Sequence, residues 1–223
     1  MIIWILACIL DLLFNAICYI TNPIVVLFAN EVGELPKIFY WWSNWDDGLD
    51  IEWMITEHHV PKWAEYDFNR HYKYYSNTEA ESITGKHMSF VVLLDPNFTL
   101  KERFQRYVCR LTWLYRNCAY GFSYSVTGRL VDESKLIVKR NNPGLKNEHD
   151  YLAYYKHWLW KPFCIFYGKF WNVKDISWLR WTGIDKEFYI KIYLGYKFNS
   201  IKPGQQKQSM LALFAWPFTH EEH

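Results

Sequence analysis

The chain has 223 residues, a formal net charge of +2, and aromatic side chains at 20% of its positions. So small a charge gives no indication of a nucleic-acid partner or an anionic surface. The aromatic content excludes a disordered chain, and the length suffices to bury a core.

The first 28 residues are the most apolar stretch of the chain, and Asp11 is their one charged side chain. The run from Ile2 to Ile20 is close to the roughly 20 residues that a helix needs to span a bilayer. It lacks the basic start and the small-residue cleavage site of a signal peptide, so we expect it to be retained. We therefore predict a membrane-anchoring helix over residues 1–30 and a single aromatic-rich α+β domain over residues 31–223.

Polar and small side chains interrupt this apolar segment at spacings of three and four residues, which places them on one stripe of a helix: Cys8, Asp11, Asn15, Cys18 and Asn22. Because an Asp facing lipid is costly, the stripe is predicted to face its own domain, water or another copy of the chain. Pro23 predicts that the helix ends or kinks at Asn22. Two other interpretations stay open, a helix packed on a soluble core and an interfacial or re-entrant segment.

A loop-like stretch over residues 31–50 follows, with Asp47-Gly48 as a turn signal. Its carboxylates do not have the spacing of an EF-hand. Three tryptophans in the stretch would either meet a membrane interface or cover the base of the domain: Trp41, Trp42 and Trp45.

Residues 99–118 have the strongest helical pattern of the remaining chain and begin with the capping-box pair Thr99 and Glu102. The predicted apolar face consists of Leu100, Phe104, Val108, Leu111, Tyr115 and Cys118. The arginines at 103, 106 and 110 are predicted to be solvated, to hold phosphates, or to pair with the acids of the preceding loop. We expect at least one of those acids to contact Arg110 or Arg116. The candidates for such a clamp, or for a binding site, are Trp45, Asp46, Asp47, Asp50, Arg110, Trp113, Arg116 and Asn117.

Residues 89–94 predict a buried strand, and the chain becomes rich in aromatic and β-branched residues from Gly121 onward. Turn signals separate the segments 124–130, 135–140, 151–158, 163–171, 188–198 and 210–218. The predicted fold class is therefore α+β, with an N-terminal membrane-anchoring helix, a central amphipathic helix and a C-terminal antiparallel β-meander of four to six strands.

No complete catalytic, dinucleotide-binding or phosphate-binding motif occurs in the sequence, and no cofactor or metal is predicted. The adjacent His58 and His59 lack the spacing of a zinc site. Five cysteines without a CxxC pattern favour free thiols and a reducing compartment. The sequence leaves enzymatic activity open and favours its absence.

Two stretches together resemble a family of small, functionally uncharacterised proteins encoded by tailed bacteriophages. One runs from Asn22-Pro23 through Gly33 and Leu35-Pro36 to Leu49-Asp50. The other runs from Arg110-Leu111-Thr112-Trp113 to Phe122. The resemblance extends loosely to Ala215-Trp216-Pro217-Phe218, where the family pattern leads us to expect Asn before Pro-Phe. It implies a phage source and no mechanism.

We therefore predict a phage-encoded, membrane-associated accessory protein that is non-enzymatic and acts through protein–protein interaction. Its expected partners are membrane lipid and either itself or another phage or host protein. The expected location is the host inner membrane with the domain in the cytoplasm. The alternatives are a virion component of the head or of DNA ejection, and a membrane-proximal enzyme that uses the loop acids with Arg110 or Arg116.

Overall fold

The computed structural model describes residues 2–43, 48–51, 60–85, 89–116, 118–132, 136–141, 151–155, 163–165, 169–173, 188–191, 194–196, 205–208 and 210–212. Contacts between Cα atoms divide the chain into two units. The first unit contains Met1–Ile17, Ala119–Val173 and Glu187–His223, and the second contains Cys18–Cys118 and Lys174–Lys186.

Helix α1 covers Ile2–Val25 and contributes residues to both units. The high apolar content of this segment, without a glycine, favours a long helix. A 3-10 turn, Val26–Phe28, extends it. The predicted end of the helix at Asn22 is wrong by three residues, because α1 continues through Pro23 to Val25. The alternative, a kink at this point, stays a prediction.

A tyrosine from another helix compensates for the hydrogen bond that Pro23 cannot make. Proline has no backbone N–H, so the carbonyl four residues earlier, that of Tyr19, loses its helical donor. The hydroxyl of Tyr115 donates to this carbonyl at 3.0 Å, and the Tyr19 and Tyr115 rings stack with centroids 5.5 Å apart. The hydroxyl of Tyr107 donates to the carbonyl of Pro23 itself, also at 3.0 Å. The Tyr115 hydroxyl thus replaces the donor that Pro23 lacks, and the Tyr107 hydroxyl adds a second contact between the two helices.

The rest of the second unit is largely helical with one small sheet. Helix α2 (Phe68–His71), helix α3 (Asn77–Thr84) and helix α4 (Leu100–Arg116) alternate with strands β1 (Tyr72–Tyr75) and β2 (Phe90–Leu93). The two strands pair antiparallel, with Tyr72 opposite Leu93. Short 3-10 turns occur at Lys37–Phe39 and Lys62–Ala64. The strand predicted for residues 89–94 is present as β2.

Among the described residues of the second unit, buried apolar side chains form two clusters. One lies around the small sheet and includes Phe68, Tyr72, Phe98 and Cys109. The other joins the end of α1 to the end of α4 through Val25, Val26, Leu49, Trp113 and Leu114. The stretches around residues 22–50 and 110–118, which are far apart in sequence, therefore share one core.

The face of α4 that packs inward differs from the predicted apolar face. Leu100 and Phe104 were expected to be buried, but they are 85% and 58% exposed. Gln105 and Arg110 are buried instead, beside Cys109 and Trp113. The expectation of a solvated or phosphate-binding stripe is therefore wrong for Arg110. Arg110 is buried because it pairs with the buried Asp50. The periodicity of apolar residues gives no sign of such a pair.

The described residues of the first unit form helix α5 (Tyr120–Ser125) and nine strands: β3 (Arg129–Asp132), β4 (Leu136–Asn141), β5 (Tyr151–Tyr155), β6 (Phe163–Ile165), β7 (Lys169–Val173), β8 (Phe188–Lys191), β9 (Leu194–Tyr196), β10 (Gln205–Gln208) and β11 (Met210–Ala212). Antiparallel pairing gives a five-stranded sheet in the order β11-β9-β6-β5-β4 and the pairs β3–β10 and β7–β8.

The structure therefore combines an apolar N-terminal helix, further helices and a small antiparallel sheet. Residues 124 and 125, predicted to begin a strand, lie in α5 instead. The four- to six-strand C-terminal meander stays a prediction, since much of residues 133–223 lies outside the described part. The division into an anchor over residues 1–30 and one following domain also stays a prediction.

The compensation at Pro23 predicts the outcome of a double-mutant cycle. Tyr115→Phe should lower the free energy of unfolding by about 1 kcal/mol, because the Tyr19 carbonyl loses its donor. The loss should be smaller in a Pro23→Ala background, where the backbone N–H of residue 23 supplies that bond. Urea denaturation of the four proteins measures both effects, and equal losses in the two backgrounds would contradict the account.

Candidate functional site

In the first unit, the polar stripe of α1 packs inward around Asp11. The Asp11 side chain is fully buried. It accepts hydrogen bonds from the hydroxyl of Ser123 on α5 and from Thr127 Oγ1, the latter at 3.4 Å. Asn15 Nδ2 lies 3.2 Å from the other carboxylate oxygen. Phe14 stacks on Phe122 beside them, with centroids 4.2 Å apart. The acid is thus paired inside its own chain.

In the second unit, the same stripe continues through Cys18 and Asn22, both fully buried. Asn22 Nδ2 donates to the carbonyl of Leu114 at 3.4 Å and lies 3.6 Å from Cys118 Sγ. The stripe was predicted to face its own domain, water or another copy of the chain. It faces its own chain, because that chain supplies partners for Asp11 and Asn22.

The opposite face of α1 is apolar and exposed. In the first unit it presents Ile2, Leu6, Ile9, Leu10 and Leu13, and in the second Ile20, Ile24, Leu27 and Phe28. Ile20 is 78% exposed and Ile24 is 62% exposed. We call these residues the outer face of α1. Contiguous exposed apolar surface of this kind marks a protein or membrane contact.

A short aromatic segment adjoins the C-terminal end of the outer face in the second unit. Phe28 and Phe39 rings lie 5.1 Å apart, and the Trp42 indole donates to Thr21 Oγ1 at 2.7 Å. The neighbouring Ile38, Tyr40 and Trp41 are exposed. Of the two predicted roles, Trp42 covers the base of the domain, whereas Trp41 is available to an interface. Trp45 lies outside the described residues.

Asp50 and Arg110 form a buried two-pronged ion pair in the second unit. Arg110 Nε donates to Asp50 Oδ1 at 2.7 Å, and Arg110 Nη2 donates to Asp50 Oδ2. Nη2 also donates to the carbonyl of Asn30 at 2.9 Å. Burial alone would lower the pKa of Arg110, but the hydrogen bonds and charge of Asp50 outweigh it and raise that pKa. The predicted contact between a loop acid and an arginine of α4 is therefore present.

Tyr72 extends this pair into a network. Its hydroxyl lies 2.8 Å from the Glu31 carbonyl and 3.2 Å from Asp50 Oδ2, and it accepts a bond from Arg106 Nη1 at 3.0 Å. Burial and the nearby Asp50 charge raise the pKa of Tyr72 to about 12. The hydroxyl therefore stays protonated and remains a donor at neutral pH.

Two glycines let the backbone approach this network closely. Gly33 has a φ of +80°, and a Cβ there would lie 2.6 Å from the Asp50 nitrogen. A Cβ at Gly48 would lie 2.4 Å from the Val32 carbonyl oxygen. The loop after α1 is thus held against residues 48–50, and the ion pair is closed to solvent.

His71 and Glu102 form a second cluster, which the sequence patterns did not single out as a pair. His71 is fully buried, stacks on Phe98 and places Nε2 3.2 Å from Glu102 Oε1. Glu102 also closes the predicted capping box with Thr99. Its hydrogen bonds to Thr99 and His71 lower its pKa to about 2. A separation of 31 residues leaves no sequence signal for this pair.

The structure assigns positions to only some of the predicted site residues. Asp50 and Arg110 are buried against each other in the second unit, and Trp113 is buried in the cluster at the end of α1. Trp45, Asp46, Asp47 and Asn117, and the histidines at 58 and 59, lie outside the described residues, as does the side chain of Arg116. Within the described ranges, no group of three His, Cys, Asp or Glu side chains could hold a metal ion.

Comparison with known proteins defines the family. The sequence model of a family of unknown function, DUF7338, matches residues 1–222, so the chain belongs to that family. No curated protein and no solved structure matches the chain. The function must therefore be argued from the surfaces described above.

The buried ion pair predicts strong coupling between its partners. Asp50→Asn should lower the free energy of unfolding by roughly 3–5 kcal/mol, because it leaves the Arg110 charge buried without its counter-ion. Arg110→Met should have a similar effect. The double variant should lose clearly less than the sum of the single losses.

Urea denaturation of the four proteins measures this coupling. Gly85→Ala is a suitable control, because Gly85 has a φ of +69° but open space around its Cβ position. It should cost only the roughly 1–2 kcal/mol of a left-handed residue. Additive losses at Asp50 and Arg110 would show that the pair does not act as a unit.

Proposed function

We propose that the protein is a non-enzymatic, membrane-associated accessory protein that binds lipid through the outer face of α1. The observation that carries this proposal is that the two fully buried polar side chains described on α1, Asp11 and Asn22, make hydrogen bonds within their own chain, while the opposite side is exposed and apolar. By length and composition, Ile5–Phe28 is also the one helix among the described residues that could cross a bilayer. A core helix would pass that test as well, but its apolar side chains would be buried.

The proposal that the protein is not an enzyme rests on the burial of the acid–arginine pair that the sequence offered as a possible active site. Asp50 is fully buried and Arg110 is 5% exposed, so a substrate has no access to them in the described fold. Their polar contacts go to each other, to the Tyr72 hydroxyl and to backbone carbonyls. This arrangement supports a structural clamp rather than an enzymatic centre.

Protein binding is supported by a second exposed apolar surface, in the second unit. The rings of Trp63 and Phe104 stack with centroids 6.2 Å apart, and both are about half exposed. Leu100 lies four residues before Phe104 on α4 and is 85% exposed. Exposed aromatic anchors of this kind are typical of protein-binding surfaces.

The cellular setting is proposed from the sequence. The resemblance to phage proteins supports a phage source and the host inner membrane. Four cysteines are buried thiols: Cys8, Cys18, Cys109 and Cys118. Reduced thiols support a domain in the reducing cytoplasm.

A charge placed on the outer face of α1 tests the membrane proposal. Ile20→Glu should lower the partition coefficient into vesicles of phosphatidylethanolamine and phosphatidylglycerol at least tenfold, because it removes an apolar contact worth roughly 1.5–3 kcal/mol and adds a charge. Flotation on a density gradient measures the partition.

Ile83→Glu is the matched control, since Ile83 is 61% exposed on α3, away from α1 in sequence. It should leave flotation unchanged. A full-length protein that stays in solution without detergent and does not float would overturn the proposal, as would equal effects of the two substitutions.

A further inference from the structure

We propose that α1 lies in the plane of one leaflet as a monotopic anchor, with its outer face towards the acyl chains, and does not cross the bilayer. This inference rests on the membrane association proposed above. It adds an orientation and a depth for α1.

The width of the outer face fits lipid better than a second helix. At about 100° per residue, the exposed apolar positions between Ile2 and Phe28 cover more than half the circumference of α1. A two-stranded coiled coil needs a narrower seam, with two apolar positions per heptad. A leaflet surrounds a half-immersed helix on all sides but one, so it contacts this whole arc.

The residues that cover the other face in the first unit favour an in-plane helix. Asp11 is paired with Ser123 and Thr127, and β3 begins two residues later at Arg129. A spanning α1 would draw α5 and the start of β3 towards the hydrocarbon. Charged side chains and strand backbone are costly there. An in-plane α1 keeps them on the aqueous side.

The second unit leads to the same orientation independently. α4 contacts α1 at three successive points, the carbonyls of Tyr19 and Pro23 and the Asn22 amide. One turn before Leu114 on the same helix lies Arg110, with Asp50 beside it. Immersion of this stretch in hydrocarbon would carry a buried ion pair with it. If α1 lies parallel to the membrane surface, the ion pair stays outside the hydrocarbon layer.

The aromatic segment after α1 has side chains that are typical of the headgroup boundary, the depth proposed for α1. Tyr40 and Trp41 are exposed next to the end of α1, and Lys37, the first basic residue of the chain, precedes them. Tryptophan and tyrosine prefer the headgroup boundary, and interfacial helices bury their apolar face about 5–10 Å below it. Interfacial helices usually carry Lys and Arg on their polar side. The polar side of α1 has none, and here it packs against the rest of the chain instead of facing water.

Four positions on the outer face measure the orientation directly. Leu6, Leu13, Ile20 and Leu27 are all exposed and follow one another at intervals of seven residues, which keeps them near one line along the helix. Each is replaced by cysteine in the full-length protein, labelled with a nitroxide, and bound to vesicles of phosphatidylethanolamine and phosphatidylglycerol. Electron paramagnetic resonance power saturation with oxygen and a nickel chelate gives the depth of each label.

The in-plane helix predicts four similar, shallow depths. A label at Ile83 should report water, and the unsubstituted chain gives the background from native cysteines. Labels at 13 and 20 about 10 Å deeper than those at 6 and 27 would show a spanning helix and overturn the inference, while membrane association would stand. Four labels in water would overturn both proposals. Labels shielded from both relaxants and coupled to one another would identify a second copy as the occupant, which also overturns the inference.

Discussion

The polar groups of α1 need partners that neither lipid nor an apolar core can provide, and this constraint determines the orientation of the helix. Asp11 is buried with Ser123 and Thr127 in the first unit, and Asn22 with the Leu114 carbonyl in the second. A buried carboxylate without donors would cost several kcal/mol, so these contacts fix which side of the helix faces inward. The isoleucines and leucines on the other side are then necessarily outside.

Within the second unit, the ion pair of Asp50 and Arg110 joins α4 to the loop that follows α1 and to residues 48–50. Arg110 binds the carboxylate and also the Asn30 carbonyl in the loop that follows α1. The glycines at 33 and 48 permit that loop to come within backbone contact of residues 48–50. α4 therefore ties together the end of α1, the loop and the small sheet. The same helix supplies Tyr115, which allows α1 to continue through Pro23.

Features that depend on the spacing of residues close together in the chain could be predicted from the sequence. The three-four spacing from Cys8 to Asn22 gave the inward stripe, and Thr99 with Glu102 gave the start of α4, because both depend on residues close in sequence. The contact between Asp50 and Arg110 was predicted as one member of a set of acid–arginine pairs. The choice of Asp50 depends on packing across 60 residues and could not be read from the pattern.

Other features depend on tertiary contacts and were missed or wrong. The buried face of α4 was misassigned because Arg110 reads as polar until Asp50 is placed beside it, whereas Leu100 and Phe104 read as core although they are exposed. Helix α1 passes Pro23 with the help of Tyr115, which donates a hydrogen bond to the Tyr19 carbonyl from 96 residues away. His71 meets Glu102 in the same non-local way. Because the family has no known function, the proposed function rests on the outer face of α1.

The inward stripe and the outer face are tested most directly by two substitutions two residues apart. Asp11→Ala should lower the free energy of unfolding by roughly 1–3 kcal/mol, because it removes the buried carboxylate that accepts from Ser123 and Thr127, and should leave vesicle binding of the folded protein unchanged. Leu13→Asp should do the reverse, with an unfolding free energy within about 0.5 kcal/mol of the parent and a loss of vesicle binding. Urea denaturation and vesicle flotation of both variants measure the two quantities. Tighter vesicle binding of Asp11→Ala at unchanged stability would place Asp11 against lipid and contradict the account.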